Sequence, residues 1–174
     1  MKNPKKYLIG VFILLVLFCQ FLIVKDFNKS LSGKINFIVV NKNKREMLVF
    51  DRKNQLLKTY TISLGFCPKG KKKIKGDGKT PEGIYYINGK NSKSIAHKNL
   101  GISYPNEEDV KTSMLIGKES GGDIKIHGLM NKWWFVGKLH HLLDWTNGCI
   151  AVNNSEMDEL YGNVSIGTKI IINP

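Results

Sequence analysis

Arginine is nearly missing from this chain. Only Arg45 and Arg52 stand among 27 basic residues, so nothing after residue 52 can supply a guanidinium to a site. Any chemistry in the rest of the chain that needs a rigid, permanently charged fork is excluded. Cysteine is almost as scarce, with Cys19, Cys67 and Cys149. The chain holds four histidines, but no Cys/His cluster has ligand spacing, so neither a metal nor another cofactor is expected. There is no internal repeat and no low-complexity tract. Acidic residues number 14, which leaves a net charge of +13. Such a balance suits a polyanionic environment: nucleic acid, anionic lipid or an anionic wall.

What is present begins with an apolar run, residues 7–24 (YLIGVFILLVLFCQFLIV), in which only Gln20 is strongly polar. As a helix it would extend about 27 Å, close to the hydrocarbon thickness of a bilayer. Lys2, Lys5 and Lys6 precede it, so residues 1–6 are expected in the cytoplasm and the remainder outside the membrane. A buried core helix of that length would keep a polar stripe, which this run lacks. A cleaved signal peptide is the alternative. The run is long for one, and the nearest small-residue pattern, Ser30-Leu31-Ser32, sits well downstream. An uncleaved anchor is favoured, with Cys19 an ordinary membrane residue. Export removes nucleic acid from the expected partners.

Residues 25–34 read as a polar linker, and residues 35–174 as one domain. Strand-like runs occupy residues 35–40, 45–50 and 56–63, followed by a Lys/Gly-rich loop expected to be solvated. Further strands are expected over 84–87, 115–117, 123–127 and 168–172. One convincing helix spans 153–161, where Asn153, Asn154 or Ser155 can cap and Glu156 and Asp158 suit the first turn. Short strands separated by turns predict a mainly β sandwich or barrel with one or two short helices. No separate wall-binding module is expected beyond the last strand.

The chemistry concentrates in residues 124–152 (IKIHGLMNKWWFVGKLHHLLDWTNGCIAV). His127 ends a strand-like run and precedes Gly128, while Cys149 closes Thr146-Asn147-Gly148-Cys149. A thiol nucleophile needs an imidazole within reach, and strand ends hold such groups firmly. Gly148 lets the chain bend tightly beside it. With no arginine available, backbone amides around Asn147, Gly148 and Cys149 are the expected oxyanion donors. A disulfide between Cys67 and Cys149 is opposed by the turn-like setting of the first and the reactive setting of the second. His140 and His141 could rival His127 as base, and one of the adjacent pair is expected at the surface. Trp133, Trp134 and Trp145 could wall a groove or join the core. Asp144 could orient His140, pin the loop or form a plain salt bridge, and Thr146 could bind an acyl group or fix the turn. His97 has no motif context.

These motifs resemble the L,D-transpeptidase catalytic-domain family. His127-Gly128 and Thr146-Asn-Gly-Cys149 match its histidine strand end and its [ST]-x-G-C signature. Thr80-Pro-Glu-Gly-Ile-Tyr85, Leu100-Gly-Ile-Ser-Tyr-Pro105 and Asp144-Trp-Thr-Asn-Gly-Cys-Ile-Ala-Val152 extend the likeness across residues 35–174. The resemblance implies Cys149 as nucleophile, His127 as proton donor and acceptor, and the peptide stem of peptidoglycan as substrate. It also makes Gly128, Thr146, His140 and Trp145 candidates for substrate binding. Two departures stand out: Asn147 replaces a usual second histidine, and Ala151 stands where many members carry arginine. An L,D-carboxypeptidase or amidase on the same fold is the alternative activity. A sortase, which needs an arginine after its cysteine, and a non-catalytic wall-binding domain are disfavoured.

Overall fold

The computed structural model describes residues 31 and 33–174. The apolar run over residues 7–24 lies outside the described residues. Among the described residues no helix is long and apolar enough to cross a membrane.

Eight strands form one curled sheet in the order β3-β2-β1-β8-β4-β5-β6-β7. β1 (Phe37–Asn41), β2 (Glu46–Phe50) and β3 (Leu56–Thr61) make an antiparallel meander. β4 (Gly83–Ser94) and β5 (His97–Ile102) form a long hairpin, and β6 (Lys125–His127) and β7 (Ile150–Ala151) run parallel at the far side. β8 (Lys169–Asn173) returns between β1 and β4. Ser63, just past β3, exchanges two backbone bonds with Ala151 of β7 at 3.0 and 2.9 Å. The two ends of the sheet thus meet, and the sandwich-or-barrel expectation resolves to a closed, barrel-like curl.

Alternation explains the core. Ile38 and Val40 of β1, Met47 and Val49 of β2, and Ile170 and Ile172 of β8 all point inward, while their neighbours are half-exposed or exposed. Each such side chain contributes roughly 1.5–3 kcal/mol of transfer free energy.

Three expectations are corrected. Residues 115–117 are not a strand: Leu115 ends helix α1 (Glu107–Leu115), whose Asn106 and Asp109 form a reciprocal cap. The strand expected at 84–87 runs on to Ser94, because the polar stretch after it pairs with β5. The Lys/Gly loop is not simply solvated. Lys42 and Lys72 are both buried: Lys42 Nζ donates to the carbonyls of Gly70 and Thr80 and to Glu82, at 2.7–3.0 Å. Lys72 Nζ donates to Asp77 at 2.8 Å, and Asp77 also accepts backbone bonds from Lys73, Ile74 and Lys79. The expected late helix is α2 (Asn154–Asn163), capped by Asn153 with Glu156 reciprocating. A 3-10 stretch over Asn131–Leu142, kinked at Trp133 and Gly137, links β6 to the Thr-Asn-Gly-Cys turn.

Candidate active site

His127 and Cys149 meet because β6 and β7 are parallel neighbours. His127 pairs with Ala151, two residues beyond Cys149, so the imidazole and the thiol fall on the same side of the sheet. Both line a cleft of about 460 Å³, together with Asp123, Met130, Trp145 and Asn147. A wider depression of about 920 Å³ lies on the other side of Asp123, beside α1, and its lining holds neither cysteine nor histidine.

The imidazole has a fixed tautomer. Its Nδ1 lies 2.6 Å from the carbonyl of Gly128, an acceptor, so Nδ1 carries the hydrogen and Nε2 keeps a lone pair. Trp145 packs edge-on against the ring at 5.6 Å. Burial, with the Lys125 charge adding to it, pushes the His127 pKa below its ordinary value. On the partner side, burial pushes the Cys149 thiol up, and the nearby Asp123 adds to that. The Lys125 backbone N–H, aimed at the sulfur, opposes the rise. The thiol donates to the Asp123 carbonyl at 3.7 Å. At neutral pH the pair is therefore thiol and neutral imidazole.

The turn that carries Cys149 is tied at both ends. Thr146 exchanges bonds with Leu64 and Phe66, and Ala151 with Ser63, so one short segment after β3 holds the whole elbow. Gly148 has φ +124°, and a Cβ there would lie 2.5 Å from the Lys79 carbonyl oxygen. Only glycine fits. Thr146 Oγ1 donates to the Cys149 carbonyl at 2.7 Å and accepts from the Gly148 N–H at 3.1 Å. Thr146 thus fixes the turn. The Gly148 N–H, expected as an oxyanion donor, points instead at this hydroxyl. Asn147 is exposed on the rim. Asp144, just upstream, takes Arg45 in a two-pronged ion pair with a shortest distance of 2.6 Å and accepts from the Leu64 N–H at 2.9 Å. It pins the loop rather than orienting a histidine. Gly128, beside His127, would clash with Asn154 Oδ1 if it carried a Cβ.

Other expected residues fall elsewhere. His140 does not line the cleft: it is buried against Ser63 and faces an adjoining recess of about 200 Å³. Met130 and Trp145 line both spaces. His141 is half-exposed. Trp133 and Trp134 are exposed, so neither is core. His97 pairs with Asp158 at 2.7 Å. Cys67 is an exposed free thiol, and Cys149 is free as well. Sequence reasoning missed the backbone groups of Asp123 and Lys125 at the sulfur. The Gly121-Gly122 pair before Asp123, which sits at φ +60°, was the available signal.

A profile of the L,D-transpeptidase catalytic domain (YkuD) matches residues 35–172. The chain is 26% identical over 139 residues to a putative L,D-transpeptidase, YqjB, of Bacillus subtilis, covering 78% of this chain and 70% of that protein. Among solved structures it is similar to the helical cell shape determining protein Pgp2 of Campylobacter jejuni, with 25% identity and a TM-score of 0.62 over 83% of this chain and 50% of that one. An L,D-transpeptidase from Mycobacterium smegmatis shares the fold, with 13% identity and a TM-score of 0.52 over 79% of this chain and 58% of that one. The chain spans only about half the length of the Pgp2 structure.

Proposed function

The chain belongs to the L,D-transpeptidase catalytic domain family, and from that premise we propose that it acts on peptidoglycan stem peptides with Cys149 as nucleophile and His127 as its base. The observation that carries this reading is the tautomer of His127: Nδ1 is committed to Gly128, which leaves Nε2 to take a proton on the side where Cys149 lies.

In the proposed reaction Cys149 Sγ attacks the carbonyl of the L-configured centre of the stem's diamino acid. His127 Nε2 takes the thiol proton and passes it to the leaving amine of D-alanine, so a thioester forms as the peptide bond breaks. A second amine then attacks the thioester and gives a proton to His127 Nε2, and the departing thiolate regains a proton from the resulting imidazolium. With a stem amine as acceptor the product is a 3→3 cross-link. With water it is a trimmed tripeptide, the outcome of the alternative carboxypeptidase activity. The oxyanion donors are backbone amides at Asn147 and Cys149. We also propose that residues 7–24 anchor the enzyme in the cytoplasmic membrane with residues 35–174 outside, the linker reaching at most roughly 35 Å.

Intact-mass measurement after exposure to a carbapenem tests the nucleophile. One adduct is expected on the full chain and none on Cys149→Ala, whereas labelling at Cys67 would overturn the assignment. Defined tetrapeptide stems, incubated with and without an amine acceptor, then separate cross-linking from trimming.

A further inference from the structure

The stretch between β6 and the cysteine turn carries large apolar side chains that the fold leaves outside the core. Trp133, Leu139 and Leu143 line one recess, while Trp133 and Ile95, at the tip of the β4–β5 hairpin, line a broader hollow of about 710 Å³. The two spaces share Met130, Trp133 and Trp145, so these side chains belong to one continuous surface. The hairpin tip is tied to the stretch, the Asn131 N–H donating to the Ile95 carbonyl at 2.9 Å. Ile95, Trp133, Leu139 and Leu143 are each 57–74% exposed. Trp134 and Phe135, packed edge to face at 6.5 Å, are exposed as well. Water against so many large apolar groups is unfavourable, and a contiguous patch of this kind marks a surface that meets a partner.

The surrounding charges give the partner's sign. No carboxylate side chain occurs between Asp123 and Asp144, while Lys132 and Lys138 are both exposed within the stretch. Tryptophan, branched aliphatic side chains and lysine together suit the boundary between acyl chains and phosphate headgroups. Indole sits at that boundary, aliphatic groups enter the hydrocarbon, and lysine stays with the phosphates. A glycan is a poorer match, since aliphatic groups offer its hydroxyls no hydrogen bond. Reach is sufficient. The Ile35 N–H donates to Asn163 at the end of α2 at 3.1 Å, and Asn154 at its start accepts from Leu129 of the recess at 2.8 Å. One ten-residue helix, about 15 Å long, thus separates the start of the domain from the patch. The linker over residues 25–34 can extend farther than that, to roughly 35 Å.

We propose that this surface is a membrane-docking face, seated on an anionic bilayer with Trp133, Leu139, Leu143 and Ile95 at the headgroup–acyl boundary and Lys132 and Lys138 toward the phosphates. Ile95, Met130 and Trp145 also line the cleft that holds Cys149, so docking sets the cleft mouth beside the lipid. The consequence for turnover rests on the substrate class proposed above: stems held close to the membrane are the ones a docked cleft meets.

All three tryptophans lie after residue 130, so their emission reads this face and not the run over residues 7–24. The full chain is reconstituted into vesicles of phosphatidylglycerol and a phosphatidylcholine brominated near the headgroup end of its acyl chains. About a third or more of the emission should be quenched, the share of one seated tryptophan in three. In vesicles of the brominated phosphatidylcholine alone the quenching should fall by at least ~2-fold. Ile95→Ser/Leu139→Ser/Leu143→Ser keeps every tryptophan and should lose most of the quenching, its fold checked by circular dichroism and its vesicle binding by flotation. Should that variant not fold, the two lipid compositions with the unaltered chain still decide. No quenching in the anionic vesicles, or equal quenching in both, would overturn the proposal. Unquenched tryptophans shielded from aqueous iodide would mean a cover made by residues 1–30 or by a second copy, and unquenched ones open to iodide a face left for another partner; either rejects the bilayer. Flotation without quenching keeps the anchor and discards the docking face. Quenching is read without turnover, so a failure here and a failure of the cysteine chemistry are told apart.

Discussion

Asp144 holds three donors at once, and removing it should reveal how much the cysteine turn depends on being tethered. In Asp144→Ala the Leu64 N–H loses its acceptor in a part-buried position, which costs ~1–3 kcal/mol. The Arg45 pair is lost as well. Its arginine side chain is 32% exposed and the carboxylate 15%, so solvent screening limits that loss to about 1 kcal/mol. Together the alanine variant should lose roughly 2–4 kcal/mol. Asp144→Asn keeps a carbonyl oxygen for Leu64 and gives up only the charge, so it should lose about 1 kcal/mol. Urea unfolding of both variants, with the slope unchanged, measures the two values. Carbapenem acylation should slow more in the alanine variant, because Thr146 and Cys149 hang from the same segment. Equal losses for alanine and asparagine would refute the tether, and a loss under about 0.5 kcal/mol for alanine would make Asp144 an ordinary surface charge.

Gly148→Ala combines an unfavourable φ with a Cβ 2.5 Å from the Lys79 oxygen, so acylation should fall sharply while far-ultraviolet circular dichroism stays native; wild-type acylation would refute the close packing. His127→Ala should lower the acylation rate by ~10²–10⁴-fold, and a larger loss in His140→Ala would exchange the two roles. Cys149 alkylation by iodoacetamide should rise with pH through the depressed His127 pKa, below 6.5, level off, and rise again only above 9, where the thiol itself ionises; a plateau extending into acid would mean a thiolate–imidazolium pair instead. Burial holds the His140 pKa at about 4, so between 6.5 and 4 the unfolded chain takes up a proton that the folded chain refuses. Stability from this residue is complete above 6.5 and falls with pH, by about 2 kcal/mol at pH 5; a urea midpoint that is flat from pH 7 to pH 5 would contradict it.

The parts of the molecule that were legible are those where side chains state their surroundings. Alternation in β1 and β2 and the Asn153–Glu156 cap of α2 could be read directly, as could the His-Gly and Thr-Asn-Gly-Cys motifs. Helix α1 was not legible because its buried positions are Asp109 and Ser113, which leave no apolar stripe. The later half of β4 reads as loop because five of its residues from Lys90 on are polar and mostly exposed. Lys72 was misjudged because a basic run looks solvated, and only the fold supplies the carbonyl and carboxylate that let its ammonium group be buried. At the site itself, the missing contributions were main-chain groups at Asp123 and Lys125, signalled in residue type only by the Gly121-Gly122 pair before them.

The join between Ser63 and Ala151 bears on when the proposed pair of Cys149 and His127 comes together. That contact links positions far apart in sequence, and contacts of that kind are slow to form because the intervening chain must be ordered first. Cys149 sits beside the join, and its imidazole neighbour arrives only with β6 against β7. A half-finished chain therefore holds a cysteine with no base near it. Such a thiol behaves as an ordinary one, with no means to open a peptide bond. On the mechanism proposed above, the closing step that completes the sheet is also the one that brings the thiol its base.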